Sequence, residues 1–256
     1  MDSSFSVVYR TASSSDGFPF WGTVHLAWLG AFLALCLILL PLSRRMTGRA
    51  RLGTVRILTA LLLLDEAAKH VFLFAVGEQD VDYLPLHLCS IGLFICLWYA
   101  VRPNPWAGEI LFAVSLPGAA VALLFPGWSA LPASSFLAVH SFSFHILLAL
   151  IPLFLLASGD FVPCARRLWF CAAFLLVTAI PIWLLDRRWG TNFYFLTYPG
   201  IGNPLVWFEE RFGNPGYQIG LPVMAGLLWL AMYGIPALFR LIRRAAKRNG
   251  GKAEIH

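Results

Sequence analysis

Charge is what this sequence has least of. Only 12% of its 256 residues are Asp, Glu, Lys or Arg, about half the usual share of a soluble domain. The chain is 59% apolar with a mean hydropathy of +0.73, which excludes an ordinary soluble enzyme and makes it a polytopic membrane protein. No GxxxxGK[ST] loop and no GxGxxG after a strand is present, so no nucleotide-binding signature is offered. There is no internal repeat and no low-complexity stretch, and only the two ends read as disordered. Five cysteines, an odd number with no CxxC, supply neither a disulfide framework nor a structural zinc site. The first apolar segment also lacks the marks of a cleavable signal: Asp2, Arg10 and Asp16 precede it, and Arg44 and Arg45 follow it. The formal charge of +6 does not point to nucleic acid, because the basic residues fall between and after apolar segments and read as topology signals.

What is present is a series of apolar runs. About seven are long enough to cross a hydrocarbon core, at residues 20–41, 54–76, 84–101, 108–125, 134–157, 167–186 and 219–240. The expected fold is an all-α polytopic bundle of seven transmembrane helices. Pro117-Gly118 should break the fourth, and Pro152 and Pro181 should kink the fifth and sixth. Fourteen Lys and Arg residues fall on one side of these spans and four on the other, which places the N-terminus outside and the C-terminus inside. Residues 1–17 then form an extracytoplasmic tail and 18–240 a single transmembrane domain. Residues 241–256 form a basic cytoplasmic tail that anchors topology on anionic lipid headgroups. The 187–218 connection is long, aromatic and broken by Gly and Pro. It reads either as an outer loop re-entering among the helices or as an interfacial aromatic belt.

This topology gathers the polar residues. His25, Lys69, His70, His87, Cys89, His140 and His145 all fall in the outer half of their spans, with Asp65 and Glu66 near the middle of theirs. Cys36, Cys96, Cys164 and Cys171 lie toward the other side and read as small apolar residues. Cys89 shares the histidine layer, where a nucleophile and an inert buried thiol are both open readings. Its base is expected from a facing helix, from His140 or His145, because two residues on a regular helix set His87 about 200° away. Asp65 with Lys69 and Glu66 with His70 form two i,i+4 pairs. These either lock the bundle or orient a histidine of the site, as in a Cys-His-acid arrangement.

Several runs carry a family resemblance: Phe20-Trp-Gly-Thr-Val-His25, Leu84-Pro-Leu-His-Leu-Cys-Ser90, Phe142-Ser-Phe-His145 and Asn192-Phe-Tyr-Phe-Leu196. Their order and spacing, over about residues 18–232, resemble the YwaF family of bacterial integral membrane proteins. That family is similar to the animal transmembrane protein 164, an acyltransferase that moves acyl chains between phospholipids through an acyl-cysteine. The resemblance implies a bacterial cytoplasmic-membrane protein with Cys89 as nucleophile and His87, His140 or His145 assisting. It also implies supporting or substrate-binding roles for His25, Glu66, His70, Ser90, Asn192 and Tyr194. Ser90 or Asn192 would donate to an oxyanion. The substrate would be a membrane lipid, with no cofactor and no metal.

Other readings stay open. A zinc-dependent seven-helix hydrolase would use several of the same histidines, and a haem-binding bundle two of them. A proton-linked transporter or sensor would use Asp65, Glu66, Lys69 and His70, although no pair of matching broken helices accompanies them. A structural scaffold is the remaining alternative.

Overall fold

The computed structural model describes residues 4–13, 16–200 and 203–237. Its helices are α1 (Thr23–Ser43), α2 (Gly48–Ala75), α3 (Leu88–Val101), α4 (Pro105–Ile110), α5 (Leu116–Leu124), α6 (Phe136–Ser158), α7 (Leu168–Trp189), α8 (Leu205–Gly216) and α9 (Gly220–Trp229). A π turn over Leu111–Ser115 joins α4 to α5 in one rod, and another at Leu230–Gly234 extends α9. No strand occurs among the described residues. This is an all-α integral membrane protein. Five helical stretches are long and apolar enough to cross a membrane: Thr23–Ser43, Pro105–Leu124, Phe136–Ser158, Ala165–Trp189 and Leu205–Ala237. The two remaining spans expected from sequence are helical but differ in kind. α2 carries Asp65, Glu66 and Lys69 at mid-length, and α3 has only 14 residues. The basic tail 241–256 lies outside the described residues.

Several helix ends carry local signals. The Thr47 hydroxyl accepts from the Ala50 amide at the start of α2, and the Ser135 hydroxyl from Ala138 at the start of α6. Asn104 caps α4 just before Pro105, while Gly159 and Gly190, both left-handed, close α6 and α7. α6 is the centre of the bundle. It packs against α1, α2, α3 and α5, and Leu148, Ala149, Leu150 and Ile151 in its middle are buried. It carries no Asp, Glu, Lys or Arg, and from Ile146 to Ala157 it is apolar on every side, which suits the interior of a membrane bundle.

Pro152 lies inside α6 and Pro181 inside α7, each within one continuous helix. The irregularity of the fourth span is the π turn that ends two residues before Pro117. Pro117 has no N–H for the carbonyl four residues back, and that carbonyl, Ala113, accepts instead from the Trp229 indole at 2.8 Å. The end of the bundle where α4 begins is pinned by Glu109, fully buried, which accepts from the Cys164 amide, from Arg167 at 2.9 Å and from the Tyr233 hydroxyl. At the opposite end, the residues expected to form a tail pack onto the bundle. Val8 and Phe18 are buried, Phe5 stands edge-on to Phe72 and Phe136, and Arg10 pairs with Glu78 at 2.6 Å.

Candidate functional site

The site is built around the start of α3. Pro85 disfavours helix at Leu84, and residues 84–87 run as non-helical backbone, so α3 starts at Leu88 with His87 as its N-cap. This corrects the expected helix over 84–101, and with it the 200° separation of His87 from Cys89, which holds only within a regular helix. Cys89 becomes the second residue of the helix, partly exposed. No side chain caps α3, and its first internal bond is donated by Ile91 to the His87 carbonyl. The amides of Leu88, Cys89 and Ser90 therefore have no partner within the helix. Free N–H groups at a helix N-terminus favour a negative charge beside them.

Residues 84–86 are half-buried and His87 is exposed. Leu84, Leu86, Leu88 and Ile91 pack on Ile182, Phe193 and Tyr194. Phe193 and Tyr194 form a tight turn that comes back from the end of α7. Tyr194 and Phe195 both have positive φ, 60° and 57°, which non-glycine residues seldom take. Asp186 holds them there: its Oδ1 accepts from the Thr191 hydroxyl at 2.7 Å and from the Phe193 amide at 2.9 Å. Tyr194 is buried within electrostatic reach of Cys89. Its hydroxyl lies beside Thr178 but forms no bond of ordinary geometry.

α6 supplies the facing side. A Cβ on Gly92 would sit 3.2 Å from the Leu148 side chain and 2.9 Å from the Ser115 hydroxyl, so only glycine lets α3 approach α6 this closely. Three residues before Gly92 on α3 and before Leu148 on α6, about one helical turn back on each, stand Cys89 and His145. His145 donates Nδ1–H to the Ser141 carbonyl at 2.7 Å. A carbonyl can only accept, so the neutral ring presents Nε2 as an acceptor. Trp128 stacks on the ring with centroids 4.9 Å apart, and His140, His87 and Asp65 lie within its electrostatic reach.

His140 is committed elsewhere. Its Nδ1 stands 3.1 Å from Asp65 and its Nε2 3.9 Å from Glu66. The first contact is an ion-pair distance without aligned hydrogen-bond geometry, and neither atom finds another partner. Here the i,i+4 expectation is corrected: Lys69 turns to Glu66 at 2.6 Å rather than to Asp65, because Asp65 faces His140 on α6. Glu66 also lies 3.6 Å from His70, whose Nδ1 meets the Gln79 side-chain oxygen at 3.2 Å. Two carboxylates, one lysine and two histidines thus form one strip between α2 and α6.

The sequence model of the TMEM164 family matches residues 20–233, from the start of α1 to the tyrosine that binds Glu109. The chain belongs to the TMEM164 family. No curated protein and no solved structure matches it.

Within this TMEM164-family fold, the other expected site residues are placed as follows. His87 donates Nε2–H to the Asp82 carbonyl at 3.3 Å and meets the edge of Phe193, which leaves Nδ1 as an acceptor on the rim of the same layer. His25 is used up: Nδ1 accepts from the Trp21 amide at 3.0 Å and Nε2 donates to the Leu123 carbonyl at 2.7 Å. It closes the end of α5. Asn192 shapes the loop, accepting from Thr197 and Tyr198 and donating one side-chain N–H to the Tyr198 carbonyl. Ser90 is buried in the first turn of α3. Among the described residues no group of three His, Cys, Asp or Glu side chains is placed to hold a metal. The α3 amides, Trp128 and the loop-holding role of Asp186 were not read from sequence. Pro85, taken as a helix boundary, would have exposed the first; nothing local marks the other two.

Proposed function

We propose that this protein transfers acyl chains between membrane lipids through a thioester on Cys89. The feature that supports the reading is a partly exposed thiol on the uncapped first turn of α3, a helix that packs on α6 through Gly92 and Leu148, one turn beyond Cys89 and His145 respectively. The family membership supports a lipid-related membrane role. His145 Nε2 takes the thiol proton. The sulfur attacks the ester carbonyl carbon of a phospholipid, and the amides of Cys89 and Ser90 receive the developing oxyanion. The C–O bond then breaks, and the departing lysophospholipid oxygen takes the proton back from His145. A lysolipid hydroxyl, deprotonated by the same nitrogen, attacks the thioester and regenerates the thiol. Where water is the acceptor, the same steps give hydrolysis. Tyr194 walls the acyl side. Asp65, Glu66, Lys69 and His70 fix His140 and the polar layer as supporting residues.

On this reading the layer faces the outer leaflet of a bacterial cytoplasmic membrane, with the 187–218 loop re-entering beside it, in keeping with the fourteen-to-four basic count. The test is transfer in liposomes. Label on the acyl chain of a donor phospholipid should move to a lysophospholipid acceptor with the native chain and stay on the donor with Cys89→Ala. Undiminished transfer by Cys89→Ala overturns the reading. The proton-linked alternative would show instead as flux that depends on Glu66 or His70 and ignores Cys89.

A further inference from the structure

At the end of α3 away from Cys89, a groove of about 330 Å³ lies between α2 and α3, lined by Arg56, Thr59, Ala60, Leu63, Leu97 and Val101. Ala60, Leu97 and Val101 are exposed, so the groove opens sideways from the bundle. In an integral membrane protein such an opening faces lipid, where no water is available to fill it.

The mouth of the groove is cationic. Arg56 donates Nε–H to the Ala100 carbonyl at 3.0 Å, which holds its guanidinium over the opening. No carboxylate among the described residues pairs with it. The acids at this end are taken, Asp160 by Arg51 at 2.8 Å and Glu109 by Arg167 at 2.9 Å. Exposed Arg49 and Arg102 add positive charge nearby. One helical turn deeper, about 4.5 Å along the axis, Thr59 is 2% exposed and its hydroxyl has no partner. A helical threonine usually bonds back to the carbonyl four residues earlier; here the hydroxyl has no partner, and Thr59 forms part of the groove wall with its oxygen closed off from the surface. A planar fork of N–H groups matches phosphate oxygens, and a hydroxyl one turn below it, once turned into the groove by rotation about its Cα–Cβ bond, matches an ester carbonyl.

We propose that this groove holds one anionic glycerophospholipid of the leaflet opposite Cys89. Its phosphate lies on Arg56, an ester carbonyl accepts from Thr59, and one acyl chain runs along Ala60, Leu63 and Leu97. The lipid joins α2 to the short α3 at the end away from Cys89. The site is independent of the acyl-transfer reading, since none of its residues belongs to the Cys89 layer.

The experiment is native mass spectrometry and thermal melting of the full chain in detergent, with phosphatidylglycerol, phosphatidylcholine or chain-free glycerol phosphate added. Phosphatidylglycerol should give one retained adduct and raise the melting temperature, and the other two should do neither. Arg56→Gln should weaken the adduct roughly fivefold or more, the scale of one basic side chain near an anionic surface, and Arg56→Lys should keep most of it. Because Arg56→Gln also removes the bond to Ala100, the readout is the lipid-dependent shift. Ala60→Phe fills the slot and should abolish the adduct with Arg56 intact. Thr59→Val, close in shape, should weaken it with lipid-free melting little changed. Equal retention of phosphatidylcholine, equal stabilisation by glycerol phosphate, or an undiminished adduct in both Ala60→Phe and Thr59→Val overturns the proposal.

Discussion

His145 gives its Nδ1 proton to the carbonyl of Ser141, one turn back on its own helix, at 2.7 Å. That single bond settles which ring nitrogen is free, and it sets His145 apart from His140, whose two nitrogens both face carboxylates. Replacing His145 with Ala should therefore slow acylation of Cys89 by roughly a hundred- to ten-thousand-fold with little loss of fold. His140→Asn should instead lower stability first. Burst kinetics and melting curves on both variants check the division; equal kinetic losses with unchanged melting would contradict it.

Gly92 sets the approach of α3 to α6. Gly92→Ala would press its methyl against Ser115 and Leu148, an overpacking that typically costs about 1–3 kcal/mol. It should also displace Cys89 from His145. The expected outcome is a lower melting temperature together with a rate loss out of proportion to it, partly recovered when Ser115 is also changed to Ala. Detergent-phase melting and the liposome transfer assay measure the two effects.

Lys69 and Glu66 are both buried and 2.6 Å apart. Removing one partner of such a pair costs about 3–5 kcal/mol, because the other charge is left in a dry interior. Lys69→Met alone should be severely destabilised, and the double variant with Glu66→Gln should regain much of the loss. A double-mutant cycle on unfolding gives the coupling directly.

Trp229 and Pro117 form a compensating pair. Trp229→Phe leaves the Ala113 carbonyl without its indole donor, at a cost of about 1–3 kcal/mol. Pro117→Ala restores an N–H that can reach the same carbonyl along the helix. The double variant should melt above Trp229→Phe alone, and additive losses would show that the π turn has another cause.

Asp82 lies outside the membrane-spanning segments, and burial, with Asp80 and Asp186 nearby, raises its carboxyl above the ordinary value of 3.8. The folded chain thus holds this proton to higher pH than the unfolded chain. Its contribution is most favourable below that ordinary value and is lost as pH rises from there through the folded pKa. Asp82→Asn should flatten this fall; melting temperature against pH for the two proteins shows whether it does.

Most of the helices were legible in the sequence because they are long apolar runs, and hydrocarbon leaves the backbone few other choices; α2 with its charges and the 14-residue α3 are different in kind, and the last apolar stretch starts at Leu205, inside the 187–218 connection expected to be a loop. The gathering of His87, Cys89, His140 and His145 at one end followed from the same spacing. Local rules failed where the chain is irregular. Pro85 moved the start of α3 and turned His87 from a helical residue into a cap. Pro117 acted through Trp229, far along the chain. Asp65 chose His140 across the helix interface over Lys69 on its own helix, and His25 and Asn192 bond to backbone groups whose positions only the fold fixes. Partner choice in a bundle depends on which helix faces which, and helical spacing alone does not encode it.

The most direct measurement is the intact mass of the purified protein in phospholipid nanodiscs, before and after hydroxylamine, beside Cys89→Ala. Acyl transfer through Cys89 predicts an acyl-sized adduct that hydroxylamine removes and that the variant never carries. An adduct that persists in Cys89→Ala, or no adduct across donor lipids while transfer proceeds, would contradict it.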